Sequence, residues 1–140
     1  MPDQPWVVVD TDVWSWLFGR KTRAHARTDE WRAALIGREV VIATQTRAEV
    51  LTWLAKGELG PSRAAAIETQ LDSTRTVPVT EEVVRAYAAL TAECIRRGTG
   101  LHDGKHTGDR WVAATAIAIG APLLANDGIY RDAPGLRLLN

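Results

Sequence analysis

The chain has little of what would anchor it to the outside of a cell. It holds one cysteine in 140 residues. Cys94 therefore cannot close an internal disulfide, which excludes the stapled scaffolds of small secreted domains. Its position on the apolar stripe of a predicted helix marks it as a small buried hydrophobe. No apolar stretch reaches the ~18 residues of a membrane helix. Met1 to Pro5 is polar and lacks the apolar run of a signal peptide. The expectation is a soluble, cytoplasmic protein with no membrane contact. Net charge is missing as well, because 17 Lys and Arg balance 17 Asp and Glu. That argues against a protein that grips nucleic-acid phosphates over its whole surface. It leaves room for an enzyme whose basic groups surround an acidic centre. Basic residues do gather in two stretches, Arg20, Lys21, Arg23 and Arg27, then Arg96, Arg97, His102, Lys105 and His106. Each stretch reads equally as a solvated loop or helix end and as a contact surface for RNA or a partner.

What is present is a globular composition, 46% hydrophobic, in a chain long enough for one core. No repeat, low-complexity segment or linker divides residues 1–140, which are expected to form a single domain. Trp6-Val7-Val8-Val9 is an unbroken apolar run ending at Asp10, the pattern of a strand buried on both faces. Residues 39–43, 75–79 and 123–125 read as further strands, and 136–138 as a last one. Helices are expected over 13–18, 29–36, 44–56, 60–71, 80–97 and 109–119. The third carries Val50, Leu51 and Leu54 on one face and stops at Gly57. The fifth has Thr80 as its cap, Glu81 and Glu82 in its positive first turn, and Gly98 as its end. Its apolar stripe is read as Val83, Val84, Tyr87, Thr91, Cys94 and Ile95. Residues 109–119, apolar on nearly every side, belong in the middle of the protein. Strands alternating with helices imply an α/β sandwich around a mainly parallel sheet of four to five strands.

Four acids sit where such a fold brings ligands together, beyond the carboxyl ends of its strands. Asp10 ends the first strand, Glu49 lies near the start of the helix after the second, Asp109 opens the central helix, and Asp127 follows the fourth strand. Taken singly, each has an ordinary explanation. Asp10 or Asp12 caps a helix, Glu49 completes a capping box with Thr46, Asp109 caps its own helix, and Asp127 belongs to an Asn-Asp-Gly turn. Together they are more specific, since facing carboxylates repel and raise one another's pKa unless a cation joins them. All-oxygen donors suit Mg²⁺ or Mn²⁺, and neither a cysteine nor a histidine cluster suggests zinc. Divalent metals between carboxylates and a phosphodiester activate water and neutralise charge during in-line displacement, two such ions lying ~3.5–4 Å apart.

The same residues resemble the PIN-domain family, in particular VapC-type toxins of bacterial toxin–antitoxin pairs. Val-Val-Val-Asp10-Thr11-Asp12-Val-Trp is similar to that family's first strand, acid, Thr and small polar residue. Ala48-Glu49-Val50 within residues 44–54 resembles its second motif, and Gly108-Asp109-Arg-Trp-Val-Ala-Ala-Thr-Ala its third. Gly120-Ala-Pro-Leu-Leu-Ala-Asn126-Asp127 resembles the last strand and final acid. The resemblance implies a PIN-like three-layer sandwich and a site of Asp10, Glu49, Asp109 and Asp127. Asp10 and Asp109 would ligate a metal directly, Asp127 directly or through water. Glu49 would orient a metal-bound water or complete a second metal site. Asp12 stands where the family often has Asn or Ser, and is not expected to be catalytic. The resemblance further implies endoribonuclease activity on structured RNA such as transfer or ribosomal RNA, growth inhibition, a homodimer and a cognate antitoxin.

Three other readings compete. Asp10-Thr11-Asp12 has the D-x-D spacing of haloacid-dehalogenase-type phosphatases, in which Asp10 would be a nucleophile. Trp14 replaces that family's Thr or Val, and no downstream lysine motif follows. The chain is otherwise a catalytically idle PIN-like binding module, against which all four acids argue, or a PIN nuclease of RNA processing that is not a toxin. His102, Asp103 and His106 are read as solvated loop residues, Trp53 and Trp111 as packing residues, and Trp14 and Trp16 as candidate antitoxin contacts.

Overall fold

The computed structural model describes residues 5–19 and 25–139. Arg20, Lys21 and Arg23 of the first basic stretch lie outside the described residues. Among those described, four strands form one parallel sheet: β1 (Trp6–Val9), β2 (Glu39–Ala43), β3 (Arg75–Val77) and β4 (Leu123–Leu124). Their spatial order is β3-β2-β1-β4. The helices are α1 (Thr11–Trp14), α2 (Thr28–Ala34), α3 (Thr44–Ala55), α4 (Pro61–Asp72), α5 (Glu81–Arg97) and α6 (Thr107–Ile119).

β1 sits inside the sheet, and Val7, Val8 and Val9 are fully buried. Its alternating side chains feed two cores. On one face Val8 joins Val41, Val77 and Leu123 against Leu90 and Cys94 of α5 and Val112, Ala113 and Ala116 of α6. On the other, Val7 and Val9 join Ile42 and Leu124 against Val13, Trp14, Trp31, Val50, Ile67 and Leu71. The result is the expected three-layer α/β sandwich, with a sheet of four strands. Residues 136–138 contribute only an isolated bridge, Leu138 to Leu123.

Several local expectations are corrected. The first helix begins at Thr11 and passes into a π-helical turn, Ser15–Gly19. β3 ends at Val77, where the carbonyl accepts a hydrogen bond from Thr44 Oγ1 rather than extending the strand. The polar loop before α6 holds two short 3₁₀ turns, Gly100–His102 and Gly104–His106, and α6 starts two residues early, at Thr107. The core stripe of α5 runs through Val83, Leu90 and Cys94, so Val84 and Ile95 are exposed; Leu51 of α3 is exposed too. Helical periodicity gives the repeat of an apolar stripe, and the broad stripe here leaves its absolute phase open by one residue. Trp14, read as a surface contact, is fully buried in the second core.

Gly98 and Gly120 end α5 and α6 with φ of 71° and 67°, the left-handed cap that only glycine adopts without strain. Among the described residues no helix is long and apolar enough to cross a membrane. Leu123 is fully buried and pairs with β1 through its backbone. Leu123→Ala should therefore lower unfolding stability by roughly 2–5 kcal/mol, read as a lower urea midpoint with little change in the slope.

Candidate active site

The chain runs from β1 to its neighbour β2 and on to β3, then returns through α5 and α6 to place β4 on the other side of β1. The strand order therefore reverses between β1 and β4. Connections leave to opposite sides there, and a crevice opens beyond the carboxyl ends. Asp10 occupies that end of β1, with its backbone N–H donating to the Leu124 carbonyl of β4 at 3.0 Å.

Asp10 has an extended backbone and caps α1, its Oδ1 accepting from the Thr11 N–H at 2.7 Å. It is buried, and burial pushes its pKa up from 3.8 to about 7. The Thr11 hydrogen bond works against that rise. The carboxylates of Asp109, Glu49 and Asp12 add to it, in that order. Asp109 and Glu49 are thus brought within electrostatic reach of Asp10, Asp127 is not among the groups that act on it, and Asp12 joins from an exposed position on α1.

The neighbours explain how. Thr46, fully buried on α3, does not form a capping box with Glu49; its hydroxyl accepts from Thr11 Oγ1 at 3.0 Å and ties α3 to the start of α1. Glu49 is left free to accept from Gln45 Nε2 at 2.9 Å. Gly108 lets the start of α6 approach these two, since a Cβ there would lie 3.0 Å from Gln45 Nε2 and 3.4 Å from Glu49 Oε1. Asp109, in the first turn of α6, does not cap that helix by its side chain. Its Oδ2 meets His106 Nδ1 at 2.8 Å and its Oδ1 accepts from the Tyr130 hydroxyl at 3.1 Å.

Asp127 stands in the expected turn after β4, exposed, with Oδ1 accepting from the Ile129 N–H at 3.0 Å. It thereby caps the 3₁₀ turn Gly128–Tyr130, which carries Tyr130. Asn126 reaches the other acid of α1, its Nδ2 donating to Asp12 Oδ2 at 3.5 Å, while its own Oδ1 accepts from Arg27 at 3.4 Å.

Two residues were underrated in the sequence. His106 is a partner of Asp109 and not a solvated loop residue; its i,i+3 spacing from Asp109 was the available signal. The loop that bears it is clamped by Arg110, a buried guanidinium donating to the carbonyls of Leu101 and Asp103 at 2.7 and 2.8 Å. Tyr130, fully buried, was not singled out at all. The basic stretches are less free than they read. Arg27 pairs with Glu30 at 3.1 Å and lies over Trp31, and Arg96 and Arg97 both pair with Glu93.

A family model for the PIN domain matches residues 7–136. The chain belongs to the PIN-domain family. Solved structures of similar fold agree over nearly the whole chain. FitAcB from Neisseria gonorrhoeae is 21% identical, with a TM-score of 0.76 and 96% of each chain covered. VapBC-5 from Mycobacterium tuberculosis, a member of the VapBC family of toxin–antitoxin systems, is 22% identical, with a TM-score of 0.70 over 97% of this chain and 98% of that one. VapBC2 from Rickettsia felis, bound to a DNA fragment from its promoter, is 17% identical, with a TM-score of 0.74 over 95% and 96%. No curated protein sequence matches the chain significantly. Membership of this nuclease family displaces the D-x-D phosphatase reading.

The donors of this PIN domain fit a hard divalent cation. They are carboxylate oxygens, they repel one another, and one is buried at a cost that a bound cation would offset. Among the described residues no group of three or more His, Cys, Asp or Glu side chains is placed to hold a metal ion by itself. Mg²⁺ is typically held by one or two carboxylates together with waters and substrate phosphate. The raised pKa of Asp10 also sets a pH dependence. The folded state keeps a proton that the unfolded chain releases, so stability falls as pH rises from about 3.8 to about 7. Asp10→Asn keeps the capping oxygen and removes the charge. Without metal, it should be more stable than wild type at pH 8, by on the order of a few kcal/mol, and the gap should narrow to less than half of that at pH 5 and close only near pH 4. Thermal unfolding in chelator at both pH values checks this; equal gaps would contradict it.

Proposed function

We propose that this PIN domain is a metal-dependent endoribonuclease and the toxin of a type II toxin–antitoxin system, cutting structured RNA such as transfer or ribosomal RNA by water attack on a phosphodiester. The observation that carries the reading is the buried Asp10 carboxylate at the switch point of the sheet, within electrostatic reach of Asp109 and Glu49. Mg²⁺ or Mn²⁺, when bound, supplies an activated water and offsets the charge that builds on the scissile phosphate. Asp10 and Asp109 hold the cation, and Asp127 joins them directly or through water. Glu49, held by Gln45, orients the attacking water or completes a second metal site.

Purified protein should cleave RNA with Mg²⁺ or Mn²⁺ and stop with EDTA. Asp10→Ala or Asp109→Ala should lower the rate by more than the roughly 10–100-fold that follows loss of an outer partner of a metal ligand. Unchanged cleavage by either variant would sink the site assignment.

The toxin reading draws support from the fold shared, end to end, with solved members of toxin–antitoxin complexes. In this reading a cognate antitoxin binds the protein, and the toxin itself is a homodimer. Support for the dimer comes from α5, which exposes Val84 beside Tyr87, itself stacked on Trp111 at 4.0 Å, with Val79 half exposed next to Trp111. Light scattering should give the mass of two chains, and Val84→Asp should give one. Induced expression should arrest growth, and coexpression of a small antitoxin gene encoded beside it should relieve the arrest. RNA cleavage without arrest would instead make the protein an RNA-processing nuclease.

A further inference from the structure

Tyr130 is fully buried in the core between the sheet and α6, packed with Leu123, Ala125 and Leu101. A phenylalanine would fill that space equally well, so packing does not account for the hydroxyl. A buried phenol needs a polar partner, and this one donates to Asp109 Oδ1 at 3.1 Å while standing close enough to Asp10 for both carboxylates to bear on it. Burial and those two negative charges hold its proton firmly, far above the usual range for a phenol. With His106 Nδ1 on Oδ2 and Tyr130 on Oδ1, both oxygens of Asp109 are engaged and its carboxylate is fixed in one rotamer. The tyrosine comes from the opposite end of the site, on the turn that Asp127 caps.

We propose that Tyr130 is a positioning residue of the acidic site, its hydroxyl orienting Asp109 and bridging toward Asp10 so that the two carboxylates face a divalent cation together. The inference rests on the metal-dependent reading above. A hydrogen-bond donor between two like charges lowers their repulsion before the cation arrives. Outer partners that aim a ligating carboxylate are typically worth about 10–100-fold in metal affinity or activity. The same arrangement gives the final acid a second function, since a change at Asp127 would loosen the turn that delivers Tyr130.

Tyr130→Phe tests this, because it keeps the ring and removes only the hydroxyl. Mn²⁺ binding to wild type and variant is measured by calorimetry and by the electron paramagnetic resonance of free Mn²⁺, with thermal unfolding in chelator as the check on the fold. The expected result is at least a tenfold weaker Mn²⁺ affinity in a variant that unfolds within a few degrees of wild type. In RNA cleavage at saturating Mn²⁺, kcat should fall while KM for RNA stays unchanged. Affinities within twofold of each other would overturn the positioning role and leave the metal site standing. A wild-type protein that binds no Mn²⁺ would overturn the metal site itself, and this inference with it.

Discussion

Asp10 is a carboxylate buried at the end of a strand whose three preceding residues are fully buried valines, and the charges of Asp109 and Glu49 bear on it. Burial and like-charge repulsion both penalise its ionised form. Much of the local structure answers that penalty. The Thr11 N–H is turned onto it, the Thr11–Thr46 hydroxyl pair fixes the helices on either side, and Tyr130 and His106 hold Asp109 opposite. These contacts hold the acids together without neutralising them. A fold selected for stability alone would place an amide or an aliphatic side chain at Asp10, and a carboxylate kept at such a local cost is what marks the position as a candidate site.

The supporting groups come from five separate segments, and none of them is a catalytic element by itself. The sheet positions Asp10, α3 brings Glu49, and α6 brings Asp109. The buried Arg110 secures the loop holding His106, and the turn after β4 supplies Tyr130. Arg110 also donates to the Tyr87 hydroxyl at 3.0 Å, and Tyr87 stacks on Trp111. The loop beside the site is thus coupled through one side chain to the exposed apolar face of α5.

The sequence made the large-scale features plain. Trp6-Val7-Val8-Val9 before Asp10 marked an inner strand, and Gly98 and Gly120 marked helix ends, because backbone hydrogen bonding and glycine's conformational range act locally. The acids were legible as a set because a parallel sheet delivers strand ends to one edge. Their partners were not. Thr46 and Glu49 have capping-box spacing, yet a tertiary contact with Thr11 claims Thr46, and Gln45, four residues back on the same helix, claims Glu49. Tyr130 reads as one more core aromatic, since nothing in its neighbourhood along the chain reveals that its oxygen ends against Asp109. The stripe of α5 was read one residue out of phase at Val84 and Ile95 for a related reason. Periodicity measures repeat and not direction, and direction is set by what the helix packs against.

The position of β1 has a consequence for how the molecule comes into being. Its second neighbour, β4, is distant along the chain, with Val9 paired to Leu124. Contacts so distant in sequence form late, after the entropy of closing a long loop has been met. Contacts among β1, β2 and β3 join segments nearer in sequence and bring Asp10 and Glu49 toward one edge of the sheet, whereas Asp109, Tyr130 and the crevice need α6 and β4. The acidic group is therefore complete only once the pairing of β1 with β4 has closed.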